Sequence, residues 1–325
     1  MANKQPLDLS FLKPQFEEIE LPSRGKYYKG IPELESGVLH IRPMTSVEEK
    51  IIDRLNQNNF YKTIDEIISN CVQEDINVDD LTPGDRIFIL LRIRVLSYGS
   101  MYEVRYTCPE CGSEYPLMVD LSRFEPVYVD EDISEPYELY LPFCQAKVRM
   151  NVPRSGDIRE STDRSYAEQK REGIFISSAV YQKALCCEGF ILPDNCSTPG
   201  AVVGQDSFKT LLGIMQRLHV KDAQVIDDFY RDHDHGFLDP IIMNCKVCNA
   251  SFEQYVMLNW DFFRPRSNRT KSKELQQLDD YVPTKESNRA GRRRAARPSE
   301  VRELRVVGNT NADIHPEEKV SEENI

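Results

Sequence analysis

The chain has 325 residues, 40% hydrophobic and 29% charged, which suits one large soluble domain or two ordinary ones. Its 41 Lys and Arg face 53 Asp and Glu, a formal charge of −12, so the body as a whole repels nucleic acid. No apolar run reaches the ~18–20 residues that a membrane span needs, and Met1-Ala-Asn-Lys-Gln-Pro has no apolar core of a secretory signal.

Residues 1–15 are expected to form a loose N-terminal arm. The ordered body begins at Phe16-Glu-Glu-Ile-Glu-Leu-Pro-Ser-Arg-Gly-Lys-Tyr-Tyr, where Gly25 can turn the chain between two short extended pieces. Val38–Ile41 is a strand candidate. Ser46-Val-Glu-Glu49 reads as a capping box, followed by Val47, Ile51 and Leu55 at helical spacing. Ile64, Ile67, Ile68 and Cys71 form a second helical stripe.

Thr82-Pro-Gly-Asp85 starts a third helix, with Pro83 where no intrahelical N–H bond is lost. That helix is apolar on nearly every side, which makes it central, and Gly99 can end it. Arg86, Arg92 and Arg94 on it are expected to pair with acidic neighbours. Tyr102, Val104 and Tyr106 then alternate, as do Tyr115, Leu117, Val119 and Leu121. Between these two strands lies Cys108-Pro-Glu-Cys111.

Residues 125–135 are acidic and contain proline, as a linker would. Strands are expected at Glu138–Leu141 and Ala146–Val152, and a polar exposed helix over 158–171. Cys187–Gln205 has the composition of a loop. Phe208, Leu211, Leu212 and Met215 mark an amphipathic helix, and Ala223–Arg231 a further short one that Gly236 can end. The chain then runs through Asn244 into Cys245-Lys-Val-Cys248 and an aromatic, β-forming stretch to Phe263. The strand, Cys-x-x-Cys, strand theme thus occurs twice, a weak internal duplication. Beyond Arg264 the tail is polar and expected to be extended. It carries a basic cluster of Lys285, Arg289, Arg292, Arg293, Arg294 and Arg297, which is a solvated segment or a contact for nucleic acid or an acidic partner.

The nine cysteines are expected to sit in a reducing cytoplasm, where disulfides are disfavoured and closely paired cysteines suggest metal. Two residues between cysteines let a tight turn aim both sulfurs at one ion. Each pair is followed by a small polar dipeptide, Gly112-Ser113 or Asn249-Ala250, whose N–H groups can donate to the thiolates. The preferred reading is one structural Zn2+ shared by Cys108, Cys111, Cys245 and Cys248. It requires 133 intervening residues to loop back on themselves, against a usual gap of about 15–20. Four ordinary thiols, split sites and a redox pair are the alternatives. The redox reading is weak because neither pair precedes a convincing helix. Four thiolates close the coordination shell and leave no open position for catalysis.

Asp232-His-Asp-His235 reads as a polar helix end in preference to a metal site. Cys186, Cys187 and Cys71 read as buried thiols. No P-loop, nucleophile elbow or zinc-protease helix occurs, so no catalytic residue is assigned.

Leu21-Pro-Ser-Arg-Gly-Lys-Tyr-Tyr, Ile41-Arg-Pro-Met-Thr-Ser-Val-Glu-Glu, Gly84-Asp-Arg with its apolar helix to Tyr98-Gly, and Cys-Pro-Glu-Cys-Gly occur in that order over residues 16–125. Together they resemble the baseplate hub protein family of T-even-type tailed phages. His235-Gly followed by a strand into the second Cys-x-x-Cys is similar to the end of that family's body. The resemblance implies a non-enzymatic virion or assembly protein of the contractile tail's baseplate, made in the host cytoplasm. It implies hub, tail-tube or wedge proteins as neighbours, and no membrane or small-molecule substrate. The runner-up function is a zinc-ribbon nucleic-acid-binding accessory factor. A cell-envelope hydrolase is a third possibility without a visible site.

The expected fold is α+β. A mostly helical body carries two strand–Cys-x-x-Cys–strand zinc knuckles that combine into one four-cysteine ribbon. The expected parts are an arm (1–15), a helical module with the first knuckle (16–125), an α+β module with the second (126–264) and a polar tail (265–325).

Overall fold

A computed structural model describes residues 15–54, 59–129, 135–173, 175–236, 241–254 and 260–263. The expected arm (but for Gln15), the position of Leu55 and the polar tail with its basic cluster lie outside the described residues.

The first strand, β1 (Glu17–Glu20), pairs antiparallel with β2 (Val38–Ile41), so that Ile19 lies opposite Leu39. The expected turn at Gly25 is present with φ +74°, and a Cβ there would lie 2.3 Å from the Glu35 carbonyl oxygen, so only glycine fits. That carbonyl ends a single helical turn, α1 (Pro32–Glu35).

The next helix, α2 (Ser46–Asp53), is capped one residue earlier than the sequence suggests. Thr45, not Ser46, is the cap, and Glu48, not Glu49, reaches back. The Thr45 N–H donates to Glu48 Oε2 at 2.7 Å, and the Thr45 hydroxyl donates to it at 2.8 Å. Overlapping Thr45-x-x-Glu48 and Ser46-x-x-Glu49 patterns compete here, and Arg42 decides between them. Its guanidinium donates to Glu48 Oε1 at 3.0 Å, and Glu48 is 1% exposed.

Burial works against the Glu48 charge, but Arg42 and Thr45 outweigh it and hold the carboxyl down at about 2. A depressed carboxyl stabilises the fold fully above its unfolded pKa of ~4.3, and the contribution disappears as the pH falls through the folded value. Glu48→Gln is therefore expected to cost about 1–3 kcal/mol at pH 7. The gap to the parent protein should narrow between about pH 4.5 and 2. Urea midpoints of both proteins across that range test this, and a gap independent of pH would contradict it.

In α3 (Phe60–Cys71), Ile64, Ile67, Ile68 and Cys71 are all buried, as their spacing requires. The long helix α4 (Pro83–Tyr98) starts on the Thr82 cap and ends at Gly99, whose N–H donates to the Val95 carbonyl. Its Phe88, Ile89, Leu90, Leu91 and Ile93 are buried, so the helix is central. Arg86 pairs with Asp65 at 2.7 Å and Arg92 with Glu17. Arg94 departs from expectation. It is 1% exposed and donates to the backbone oxygens of Gly99 and Met101 instead of to an acid. The Tyr102 ring lies 5.2 Å away and supplies a cation–π contact.

The hairpin β3 (Met101–Thr107) and β4 (Glu114–Asp120) follows as expected. The second half departs from a mostly helical body, because it is built on a four-stranded antiparallel sheet. Its strands are β5 (Tyr137–Leu141), β6 (Ala146–Met150), β7 (Cys187–Ile191) and β8 (Val202–Gly204), in that order across the sheet. The expected loop over 187–205 is thus a hairpin. Phe190-Ile191 and Val202-Val203 supply its strands, and the Gly, Pro and Asn residues between them form the connection. Ala146, Val148 and Met150 alternate inward.

Four helices accompany this sheet: α5 (Ser155–Glu172), α6 (Ser178–Leu185), α7 (Phe208–Arg217) and α8 (Val220–Asp232). The sequence reading contained all of these but α6. Gly236 does not end α8, which stops at Asp232. Instead Gly236 exchanges two backbone hydrogen bonds with Val127, at 2.8 and 2.9 Å. The last elements are β9 (Ile241–Asn244) paired with β10 (Ser251–Gln254), and a 3-10 turn at Trp260–Phe263.

Buried apolar side chains from Ile19 to Phe263 form one contiguous cluster spanning both halves. No described helix is long and apolar enough to cross a membrane.

Candidate metal centre

The two Cys-x-x-Cys loops have the same backbone. Cys108–Ser113 joins β3 to β4, and Cys245–Ala250 joins β9 to β10. The Cys108 N–H donates to the Ser113 carbonyl at 2.9 Å, and the Cys245 N–H to the Ala250 carbonyl at 2.8 Å. The Gly112 N–H donates to the Cys108 carbonyl and the Asn249 N–H to the Cys245 carbonyl, both at 2.9 Å. Gly112 (φ +70°) and Asn249 (φ +57°) take the left-handed conformation that these residue types tolerate best. The small polar residue after each pair is therefore required by the turn.

Aromatic packing brings the hairpins together. Tyr106 of β3 lies 5.7 Å from Phe252 of β10, and Tyr102 lies edge-on to Phe262 at 5.3 Å. As a result all four sulfurs fall within 4.8 Å of one another. The pairs interleave, with Cys108 Sγ 3.7 Å from Cys248 Sγ and Cys111 Sγ 3.6 Å from Cys245 Sγ. A tetrahedron with metal–sulfur bonds of about 2.3 Å has edges of about 3.8 Å. A disulfide needs about 2.05 Å, and all four cysteines are free. One cysteine of each pair is buried (Cys108, Cys245) and one is exposed (Cys111, Cys248).

Local donors act on the sulfurs. The Ser113 hydroxyl, 3.1 Å from Cys111 Sγ, and then the Ser113 N–H pull that thiol down to about 6. N–H groups of Cys248 and Val247 lower Cys245. The Ala250 N–H lowers Cys248, but desolvation and the three neighbouring sulfurs outweigh it and push it up to about 12. Four thiols this close cannot all ionise without a cation to offset their repulsion. The dipeptide N–H groups were legible in the sequence, whereas the Ser113 hydroxyl was not singled out.

The other candidates behave differently. Cys71, Cys186 and Cys187 are buried, and burial raises each thiol. Of the Asp232–His235 run, His235 is no exposed helix end. It is 3% exposed, with Nε2 2.7 Å from Thr82 Oγ1. Among the described residues, the four cysteines are the group of His, Cys, Asp and Glu side chains with metal-binding geometry.

No curated protein and no solved structure matches the chain. The model of a family described as T4 bacteriophage base plate protein matches residues 13–257. That span holds both hairpins' cysteines and the helices and sheet between them. A match over three quarters of the chain identifies it as a member of the T4 bacteriophage base plate protein family.

Proposed function

We propose that this chain is a non-enzymatic structural component of the contractile tail's baseplate. It sits in or next to the central hub and acts in assembly through protein–protein contacts. One structural zinc ion, held by Cys108, Cys111, Cys245 and Cys248, ties together a helical module (16–125) and an α+β module (126–264). The carrying observation is the interleaved sulfur set, with separations of 3.6 and 3.7 Å inside the family match. An all-sulfur, four-membered donor set suits Zn2+ and other thiophilic ions, and it leaves no coordination position for substrate. When bound, the ion would supply cross-linking and charge neutralisation. Chain residues supply the rest: the hairpin turns aim the sulfurs, and Ser113 and Val247 donate to them.

The neighbours would be other baseplate, hub or tail-tube proteins, met during assembly in the host cytoplasm and kept in the virion. The net charge of −12 weighs against a nucleic-acid accessory factor. Two measurements test the proposal together. Purified full-length protein should contain about one zinc per chain. A phage lacking the protein should yield particles without complete baseplates, and complete baseplates formed without it would refute the assembly role.

A further inference from the structure

Helix α7 has one apolar stripe, Leu211, Ile214, Met215 and Leu218, that is only partly covered. Leu211 and Met215 point inward and are buried. Ile214 and Leu218, on the same stripe but only partly buried, line an open cleft of about 670 Å³. The opposite wall is the turn between β5 and β6, with Phe143, and the buried Phe190 also lines the cleft.

Phe143 is 63% exposed, yet its turn is fixed. The N–H groups of Phe143 and Cys144 donate to the buried Asp222 carboxylate at 2.8 and 3.0 Å. The Phe143 ring stacks on His219, with centroids 3.8 Å apart and planes 14° from parallel. A large aromatic held rigidly in water is a preformed anchor.

The charge of the cleft is opposite to that of the chain. Lys209 and Arg217 line it, and no Asp or Glu does. Both cations are exposed, and Arg217 donates to the Gly213 carbonyl. Asp222 supports the wall from inside, with its carboxylate already occupied.

We propose that this cleft docks an apolar, acid-bearing segment of a partner protein in the baseplate. Apolar side chains of the segment would fill the space between Phe143, Ile214 and Leu218, and its carboxylates would meet Lys209 and Arg217. The rest of a body charged at −12 repels such a segment, so electrostatics direct it to this face. The inference rests on the assembly role only in taking the partner to be another baseplate protein.

A benzophenone-bearing phenylalanine analogue in place of Phe143, in the full-length chain, tests this. The same analogue at the exposed Thr210 gives a second probe should the first disturb the turn. Adducts are read in finished particles and in assembly intermediates, so a chain absent from particles bears on where it resides and not on the cleft. The expected adduct is to an apolar segment with Asp or Glu in another baseplate protein, reduced about tenfold by Lys209→Glu with Arg217→Glu. Any of four results overturns the proposal: no adduct from either position, an adduct within this chain or to a second copy, an adduct to a segment without acids, or an adduct that charge reversal leaves undiminished.

Discussion

Removing the metal, or one of its proposed ligands, should cost this protein its cooperative unfolding. Cys245→Ser leaves three sulfurs around a position that four now surround, and serine is a poor ligand for a thiophilic ion. The cost is large because of the chain length that the site closes. Cys111 and Cys245 have 133 residues between them, and a cross-link over about 100 residues is worth about 5 kcal/mol in the chain-entropy model. Metal binding is counted in the same free energy as folding. A domain's whole stability is about 5–15 kcal/mol, so a loss on the order of 5 kcal/mol brings the body to the edge of unfolding. The buried cluster extends well beyond the hairpins into the four-stranded sheet and the helices, so residual structure should persist while the hairpin pair loosens. Denaturant melts of parent, chelated parent and Cys245→Ser should show the latter two alike, both zinc-free and both broadened. Cys187→Ala is the control: a buried thiol outside the site, expected to match the parent's zinc content and to lose only about 1 kcal/mol. A zinc-free protein that unfolds at the parent midpoint would end the proposal of a structural ion.

The two cysteine pairs were legible because their rule is local. Two residues between thiols, a left-handed position after them and alternating strands on either side can each be read within a dozen residues. The central helix was legible for the same reason: Thr82, Pro83 and Gly99 mark its ends chemically. What failed were patterns whose deciding partner lies elsewhere. Glu48 wins over Glu49 because Arg42 bonds it. Phe190 and Val203 pair across a Gly- and Pro-rich connection that dominates the composition of 187–205. Arg94 looks like an ion-pair residue until the chain after Gly99 folds its carbonyls back onto it. His235 was hardest, because a run of Asp and His resembles a solvated end and its partner Thr82 is 153 positions away.

That last contact belongs to a buried network whose removal gives the second large effect. Asp85 is fully buried on the first turn of α4. It accepts hydrogen bonds from the Ser23 N–H at 2.9 Å and the Tyr28 hydroxyl at 2.5 Å. Thr82 Oγ1 lies 3.2 Å from the same hydroxyl and 2.7 Å from His235 Nε2, and Asp85 Oδ1 lies 3.7 Å from that nitrogen. Asp85 and Thr82 together thus join the β1–β2 segment, the central helix and the end of the second half. Burial, and then the Asp85 charge, push the Tyr28 hydroxyl well above its ordinary range, which keeps it protonated and donating. Asp85→Ala leaves the Ser23 N–H buried without its acceptor and the Tyr28 hydroxyl with only the more distant Thr82 Oγ1, and the backbones have no room to rearrange. Gly84 is so close that a Cβ on it would sit 2.5 Å from the His235 carbonyl oxygen. The expected loss is about 3–5 kcal/mol, from stranding buried polar groups beside a lost charge. Tyr28→Phe alone should cost about 1–2 kcal/mol. The double variant should cost clearly less than the sum, because the second change removes a donor that the first had deprived of its carboxylate. Additivity within about 0.5 kcal/mol would mean the two side chains stabilise the fold independently, and the network account would fail.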